Sequence, residues 1–163
     1  MGYITEAVTA FLTAEGWPVW SNGEGNSVRL QTGVRACNGG WLCRADIQEQ
    51  EGLLIFNSVL ECFAPLNRRA LAAELLNRIN SRLLLGHFCL DYTDGEISFR
   101  TSLDLSGTPL TAAMVSALIY RNVQVMDCYF PAIMGLLYGG LEPVQALSEL
   151  VDEQAAGSFG MAN

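Results

Sequence analysis

The chain has 163 residues, of which 50% are apolar and 16% are charged, and 17 carboxylates against nine basic residues give a net charge of −8. This length predicts one compact domain around one hydrophobic core, and the composition excludes an intrinsically disordered chain. Every basic residue is an arginine, and these are spread from Arg29 to Arg121 without a clustered basic face. We therefore expect neither nucleic-acid binding nor attachment to an anionic membrane.

The N-terminal sequence MGYITEAVTAFL lacks the basic segment and cleavage site of a secretory signal, and no apolar run reaches the ~18 residues of a membrane span. We therefore expect a cytoplasmic protein. The cysteines are odd in number, widely spaced and without a CxxC pair, which predicts reduced thiols in the core. They are Cys37, Cys43, Cys62, Cys89 and Cys128.

The first predicted element is an amphipathic helix over residues 3–15, where apolar side chains recur at helical spacing. Gly16 and Pro18 are typical of a helix end. An extended stretch then begins at Trp17 and breaks in the turn-forming residues 22–25.

A β-hairpin is predicted from Ser27 onward, where apolar and polar residues alternate. Asn38-Gly39 is the strongest turn signal because both residues tolerate positive φ. A two-residue loop there places Val34 opposite Cys43 and aligns the apolar side chains of both strands on one face. The other face is then polar and carries Arg29, Gln31, Arg44 and Asp46.

The third strand, Leu53 to Phe63, is apolar on both faces. We expect one face, with Leu54, Phe56, Leu60 and Cys62, to lie under the helices. Helices packed on that face cannot cover the other, so the second face is the best candidate for contact with a subunit or partner. The predicted partner-binding residues are Leu53, Ile55, Val59 and Phe63.

A second helix is predicted from Pro65 to about Leu85, with Gly86 at its end. A hairpin follows, in which Asp94-Gly95 forms the turn. With that loop, Asp91 lies diagonal to Arg100 and close enough for a cross-strand ion pair.

A third helix is predicted from Leu110 to about Tyr138, with Thr108-Pro109 or Thr111 at its start and Pro131 expected to kink it. A short helix from Pro143 to about Glu153 follows, and residues 154–163 should be a flexible tail. The single domain thus covers residues 1–153. These elements predict an α+β fold with an antiparallel sheet and helices on one face, in the order helix, three or four strands, helix, two strands and two helices.

The sequence offers no convincing catalytic, cofactor or metal site. His87 is the only histidine, so neither an imidazole metal cluster nor a Ser-His-Asp relay has enough members. Asp91, Asp94 and Glu96 crowd one hairpin tip, but their spacing fits turn chemistry better than a calcium loop. The glycine-rich stretches do not connect a strand to a helix as phosphate loops do. We therefore expect a protein that is not an enzyme and holds no cofactor.

Two stretches, LLNRINSRLLLGHFCLDYTDGEISFRTSLDL and DCYFPAIMGLLYGG, resemble the YbjN-domain family of bacterial proteins, labelled putative sensory transduction regulators. The resemblance implies a fold like that of type III secretion chaperones, and it brings no established catalytic residues. The matching positions are Asn77, Asn80, Gly86, Phe88, Leu90, Asp91, Asp94, Gly95, Arg100, Asp127, Tyr129, Pro131, Ala132 and Gly135.

Three hypotheses follow. The first is a protein-binding module that forms a homodimer, or holds another protein or peptide, through the second sheet face. The second is a small-molecule-binding regulator or an unrecognised enzyme, with a pocket between the sheet and the Pro131 helix where Asp127, Tyr129 and Arg100 converge. The third treats Asp91, Arg100 and Asp127 as a buried structural polar network.

Overall fold

A computed structural model of the chain describes residues 2–24 and 26–159. The described residues form four α-helices and six β-strands, with a short 3-10 turn at Leu66–Arg68 before the second helix. The helices are α1 Tyr3–Ala14, α2 Arg69–Asn80, α3 Ala112–Tyr138 and α4 Pro143–Phe159. The strands are β1 Trp20–Glu24, β2 Ser27–Arg35, β3 Gly40–Gln48, β4 Leu53–Phe63, β5 His87–Leu90 and β6 Glu96–Asp104.

The strands make one antiparallel sheet in the order β1-β2-β3-β4-β6-β5. This confirms the predicted α+β class and the predicted order of elements. No helix in the described part of the chain is long and apolar enough to cross a membrane.

One face of the sheet lies under the helices and forms the core. Alternate residues of each strand point into it, including Leu54, Phe56 and Phe99, which are fully buried. Helix α3 lies across this face, where Phe130 stacks on Trp41 and Tyr129 packs edge-on against Phe88. Residues of α1, α2 and α4 belong to the same cluster, so the described helices share one side of the sheet.

The β2–β3 turn is centred one residue earlier than predicted, because the Ala36 N–H donates to the Gly39 carbonyl across Cys37-Asn38. Val34 consequently faces Trp41 rather than Cys43. Contacts with helix α3 fix the position of this turn. Asp127 of α3 accepts from the Asn38 N–H at 2.7 Å, and the Phe130 ring occupies the space that a side chain at Gly39 would need. Each β2 residue therefore pairs with a β3 residue two positions away from the predicted one. A shift of two residues keeps every side chain on its predicted face of the sheet.

The β5–β6 turn shifts in the same way, with Asp91 opposite Glu96 and residues 92–95 in the loop. The Arg69 guanidinium of α2 holds this loop by donating to the carbonyls of Tyr92, Thr93 and Asp94. Gly95 adopts a φ of +92°, and a side chain there would collide with the backbone of Ala64. The predicted two-residue turn was wrong because contacts distant in sequence stabilise a longer one.

Three element boundaries also differ from the prediction. Strand β1 was predicted to break at residue 22, but it continues through Asn22-Gly23. Asn22 pairs with Arg29 of β2, so these turn-forming residues belong to the sheet. Helix α2 ends at Asn80, whose side-chain amide bonds both the N–H and the carbonyl of Phe88. The backbone of α4 extends to Phe159, and residues 160–163 of the predicted tail lie outside the described residues.

The cysteines of the described residues form no disulfide, and they are not all in the core. Cys43 is fully buried and Cys37 lies exposed in the β2–β3 turn, so the prediction of five core thiols was wrong for Cys37. Burial is the main cause that raises the pKa of Cys43 to about 12, against hydrogen bonds from Ser58 and Trp41. That thiol stays protonated and unreactive.

A carboxylate that follows β3 caps helix α1. Glu49 accepts from the Ile4 and Thr5 N–H groups and from the Thr5 hydroxyl, at 3.2, 2.7 and 2.6 Å. These donors would otherwise be unpaired at the helix N-terminus. Burial alone would raise the pKa of Glu49, but the hydrogen bonds outweigh it and lower the pKa below its ordinary value of 4.5.

We expect Glu49→Gln to lower the free energy of unfolding by about 1 kcal/mol at neutral pH, the usual cost of losing a helix cap. Because the folded-state pKa is depressed, the contribution of Glu49 is present above 4.5 and is lost as pH falls through the folded value. Urea unfolding at pH values above and below this window measures the difference between the two proteins. A gap that persists well below the window would rule out a charge-dependent cap.

Candidate functional site

The second face of the sheet is the strongest candidate for a functional surface. Within residues 2–24 and 26–159, no helix packs over it. We call it the open face and define it by three rows of residues that pair across the strands. The rows are Asn22, Arg29, Asp46, Ile55 and Ser102; then Trp20, Gln31, Arg44, Asn57, Arg100 and His87; then Gly33, Leu42, Val59, Ser98 and Cys89.

The middle row crosses all six strands, and we call it the arginine row. Trp20 pairs with Gln31, Gln31 with Arg44, Arg44 with Asn57, Asn57 with Arg100 and Arg100 with His87. Partners in an antiparallel sheet point to the same side, so these six side chains form one line. Trp20 is 56% exposed at one edge of the sheet, and His87 is exposed at the other.

Polar contacts order the centre of the open face. The Arg100 Nε donates to Asn57 Oδ1 at 3.1 Å, and the Asn57 amide donates to Asp46 at 3.4 Å. Arg29 pairs with Asp46 at 2.6 Å, and Arg44 pairs with Glu96 at 2.9 Å. Although no helix covers it, Asn57 is only 3% exposed. The open face therefore carries charged side chains of both signs, held in place by hydrogen bonds and ion pairs.

One donor on this face lacks an acceptor. The Nε of Arg44 is buried and has no hydrogen-bond partner among the described residues, although its neighbouring NH2 group bonds Glu96. A buried N–H without a partner carries a cost of about 1–3 kcal/mol.

The four predicted partner-binding residues do not lie equally open. Leu53 and Ile55 are half-buried, and Val59 is almost fully buried between its strand neighbours. Phe63 is 52% exposed, but an irregularity in the β4–β6 pairing separates it from Val59. Ile55 and Leu42 are thus half-buried apolar residues that flank the centre of the arginine row, one on each side of it.

The structure does not bring Asp91, Arg100 and Asp127 together. Asp91 accepts from the Thr93 N–H within its own turn, and Arg100 bonds Asn57 on the open face. Asp127 binds the β2–β3 turn on the opposite side of the sheet. Among the described residues, these three share neither a hydrogen bond nor an ion pair.

The residues proposed for a pocket near Pro131 also lie apart. Tyr129 is partly buried and packs on Phe88 at the margin of the core, whereas Asp127 accepts from the Asn38 N–H. Ala132 and Ile133, which follow the proline, are buried in the core cluster. Tyr129 and Asp127 therefore serve packing and loop attachment, whereas Arg100 lies on the open face.

Sequence reasoning missed the arginine row because the row depends on the register of five strand pairs. The predicted β2–β3 turn places Arg44 opposite Gly33, whereas in the structure Arg44 pairs with Gln31. The available signal was the polar alternation in β2 and β3, which did identify Arg29, Gln31, Arg44 and Asp46 as one face. Asn57 gave no signal, since it lies within an otherwise apolar strand.

The open face has the chemistry of a binding surface. No group of three or more histidine, cysteine or carboxylate side chains among the described residues could hold a metal ion. Guanidinium groups recognise carboxylates through paired hydrogen bonds, and aromatic and arginine side chains are enriched in protein interfaces.

Comparison with known families agrees with the resemblance seen in the sequence. The family model of YbjN, described as a putative bacterial sensory transduction regulator, matches residues 5–134. The chain belongs to the YbjN family. The matched region runs from α1 into the second half of α3, so it includes all six strands and therefore the whole open face. None of the curated proteins matches the chain in a sequence comparison. The YbjN description is that of a regulator.

Proposed function

We propose that this YbjN-family chain is a non-enzymatic regulatory module of the cytoplasm that binds protein through its open face, with a second copy of itself as the occupant. The observation that carries the proposal is an ordered row of side chains across a sheet face that the described helices leave uncovered. The likeness to secretion chaperones stays a prediction of the sequence.

The charges on the open face support a two-fold contact. Such a contact must be complementary to itself, because the same patch meets on both subunits. The open face offers exposed cationic groups at Arg29 and Arg100 and places Asp46 and Glu96 a few residues away. Two copies related by a two-fold axis could therefore pair arginines of each with carboxylates of the other.

The energetics of the row also favour binding over a purely structural role. Exposed ion pairs such as that of Arg29 and Asp46 contribute only about 0–1 kcal/mol to stability. In a contact between two copies, water would be excluded from these charged groups, and their attraction to complementary charges would become stronger. Half-buried Ile55 would also lose its remaining contact with water.

Sedimentation velocity over a range of protein concentrations tests the proposal. We expect the wild type to self-associate, and we expect Ile55→Asp to raise the dissociation constant by about tenfold or more, because an unpaired charge would be buried in the contact. Arg100→Glu, at an exposed position, should act in the same direction.

Val144→Asp is the matched control, since Val144 is an exposed valine on α4 and lies away from the sheet. Circular dichroism should show unchanged helical content in all three variants. A monomer at every concentration, or equal weakening by Val144→Asp, would count against the open face as the contact.

A further inference from the structure

A groove lies at the far edge of the sheet, between β6 and the N-terminal half of α3. Its volume is about 460 Å³, and its walls are largely apolar, with Leu103, Met114 and Leu118 along them. The connection from α2 to β5 forms the rim. There Leu84 is 97% exposed and Leu85 is 55% exposed, which is unusual for two consecutive leucines.

The groove runs along an unpaired strand edge. Strand β5 pairs with β6 only as far as His87 opposite Arg100, and the chain before Gly86 turns away. The outer edge of β6 from residue 101 to 104 thus has no partner strand in the described part of the chain. An edge of this kind is a template for another extended chain.

The alternation of hydrogen bonds shows which backbone groups face outward. On β6, the carbonyl of Glu96 accepts from Asp91 beside β5, and just past the strand Leu105 donates to Gly52 beside β4. Even-numbered residues therefore bond toward β5, and odd-numbered residues bond toward β4. It follows that the N–H and C=O of exposed Ser102 point to the open edge.

The charge at the groove is the reverse of the charge of the chain. Although carboxylates outnumber arginines by 17 to 9, the lining residues include Arg100, Arg121 and His87 and no aspartate or glutamate. Arg121 is exposed and keeps its guanidinium free of any ion pair among the described residues. An occupant that carries carboxylates is favoured here.

We propose that this groove binds an extended, apolar and acidic segment of a partner protein, which adds a short strand to β6 at Ser102 and places apolar side chains against Leu103 and Leu118. Main-chain pairing gives affinity in this mode, and pockets for alternate side chains give selectivity. The groove adjoins the proposed dimer contact and shares Ser102, Arg100 and His87 with it, but its experiments measure peptide binding rather than self-association.

The probe is a fluorescently labelled synthetic peptide of about eight residues in which glutamate alternates with valine or leucine. We expect saturable binding by fluorescence anisotropy and slower hydrogen exchange in residues 101–104. A peptide with lysine in place of glutamate should bind at least about tenfold more weakly. A peptide N-methylated on the amides of one edge should lose binding, because it cannot pair with the strand.

Three variants of the protein complete the test. Arg121→Glu should weaken binding by about tenfold or more, whereas Arg35→Glu, at the far end of β2, should leave it unchanged. Ser102→Pro should abolish binding while keeping the pairing of β6 with β4, since it removes an outward N–H. If that variant does not fold, the N-methylated peptide carries the same test.

Equal binding of the N-methylated peptide, or no binding of the acidic peptide, would overturn the proposal. So would binding of a small apolar anion such as decanoate, sensitive to Arg121→Glu, in the absence of peptide binding. That result would make the groove a small-molecule site.

Discussion

Asn122→Ala is expected to lower the free energy of unfolding by about 2–4 kcal/mol, because it breaks a buried polar network that joins α3 to the sheet. Asn122 is 0% exposed, and its amide nitrogen lies 3.0 Å from both the Phe56 and the Phe99 carbonyl oxygens. Its side-chain oxygen accepts from the Ser58 hydroxyl at 2.6 Å, and Ser58 accepts in turn from the Trp41 indole at 2.9 Å.

The loss of stability should be large because the truncation leaves several buried groups without a hydrogen-bond partner. Without Asn122, the Ser58 hydroxyl loses its acceptor and two strand carbonyls lose a donor. Urea unfolding of the wild type and the variant measures the difference. Gln124→Ala, at an exposed position of the same helix, is the control and should change stability by no more than about 0.5 kcal/mol. Equal effects of the two substitutions would show that the network is dispensable.

Gly86→Ala should be at least as costly, at about 3–5 kcal/mol, because it combines backbone strain with a steric clash. Gly86 has a φ of +76°, and a Cβ there would lie 2.5 Å from the buried Phe99 ring and 2.8 Å from the Arg100 carbonyl oxygen. The strand β5 would have to move away from β6. Thermal unfolding of the variant should show a lower Tm.

Gly107→Ala separates the two causes. Gly107 has a similar φ of +73°, but nothing lies within 4 Å of a Cβ at that position. We expect Gly107→Ala to lower the free energy of unfolding by about 1 kcal/mol, which is the cost of backbone strain without a steric clash. If Gly86→Ala were no worse than Gly107→Ala, the close packing of β5 on Phe99 would not be a constraint.

Much of the fold could be predicted because its signals are local. The alternation in β2 and β3 identified both faces, the two-sided apolar pattern gave the bounds of β4, and Thr111 was one of two predicted caps of α3, where its hydroxyl accepts from the Met114 N–H. Each of these depends on residues close together in the chain.

The errors arose where distant residues decide local structure. Asn38-Gly39 is a favourable turn by itself, but Asp127 and Phe130 of α3 set its position. The carbonyl contacts of Arg69 similarly extend the β5–β6 loop. Spacing along the sequence contains no information on such contacts.

For the candidate site, the sequence could predict which face of the sheet is uncovered but not which side chains lie next to one another on it. Ile55 was identified correctly as a residue of the face opposite the helices, but the importance of Asn57 and of the arginines beside it depends on the register of neighbouring strands. A pocket between the sheet and α3 was predicted near Pro131, but the groove lies beside the N-terminal half of that helix. It exists there because the connection before Gly86 turns away from β6 and leaves Leu84 exposed.

Hydroxyl-radical footprinting at increasing protein concentration tests the central claim most directly. If the open face is the contact between two copies, oxidation of Trp20 and Leu42 should fall as concentration rises, while oxidation of Val144 on the helical side stays constant. Unchanged oxidation of Trp20 and Leu42 at every concentration, or protection of Val144 instead, would contradict the assignment of the open face as an interaction surface.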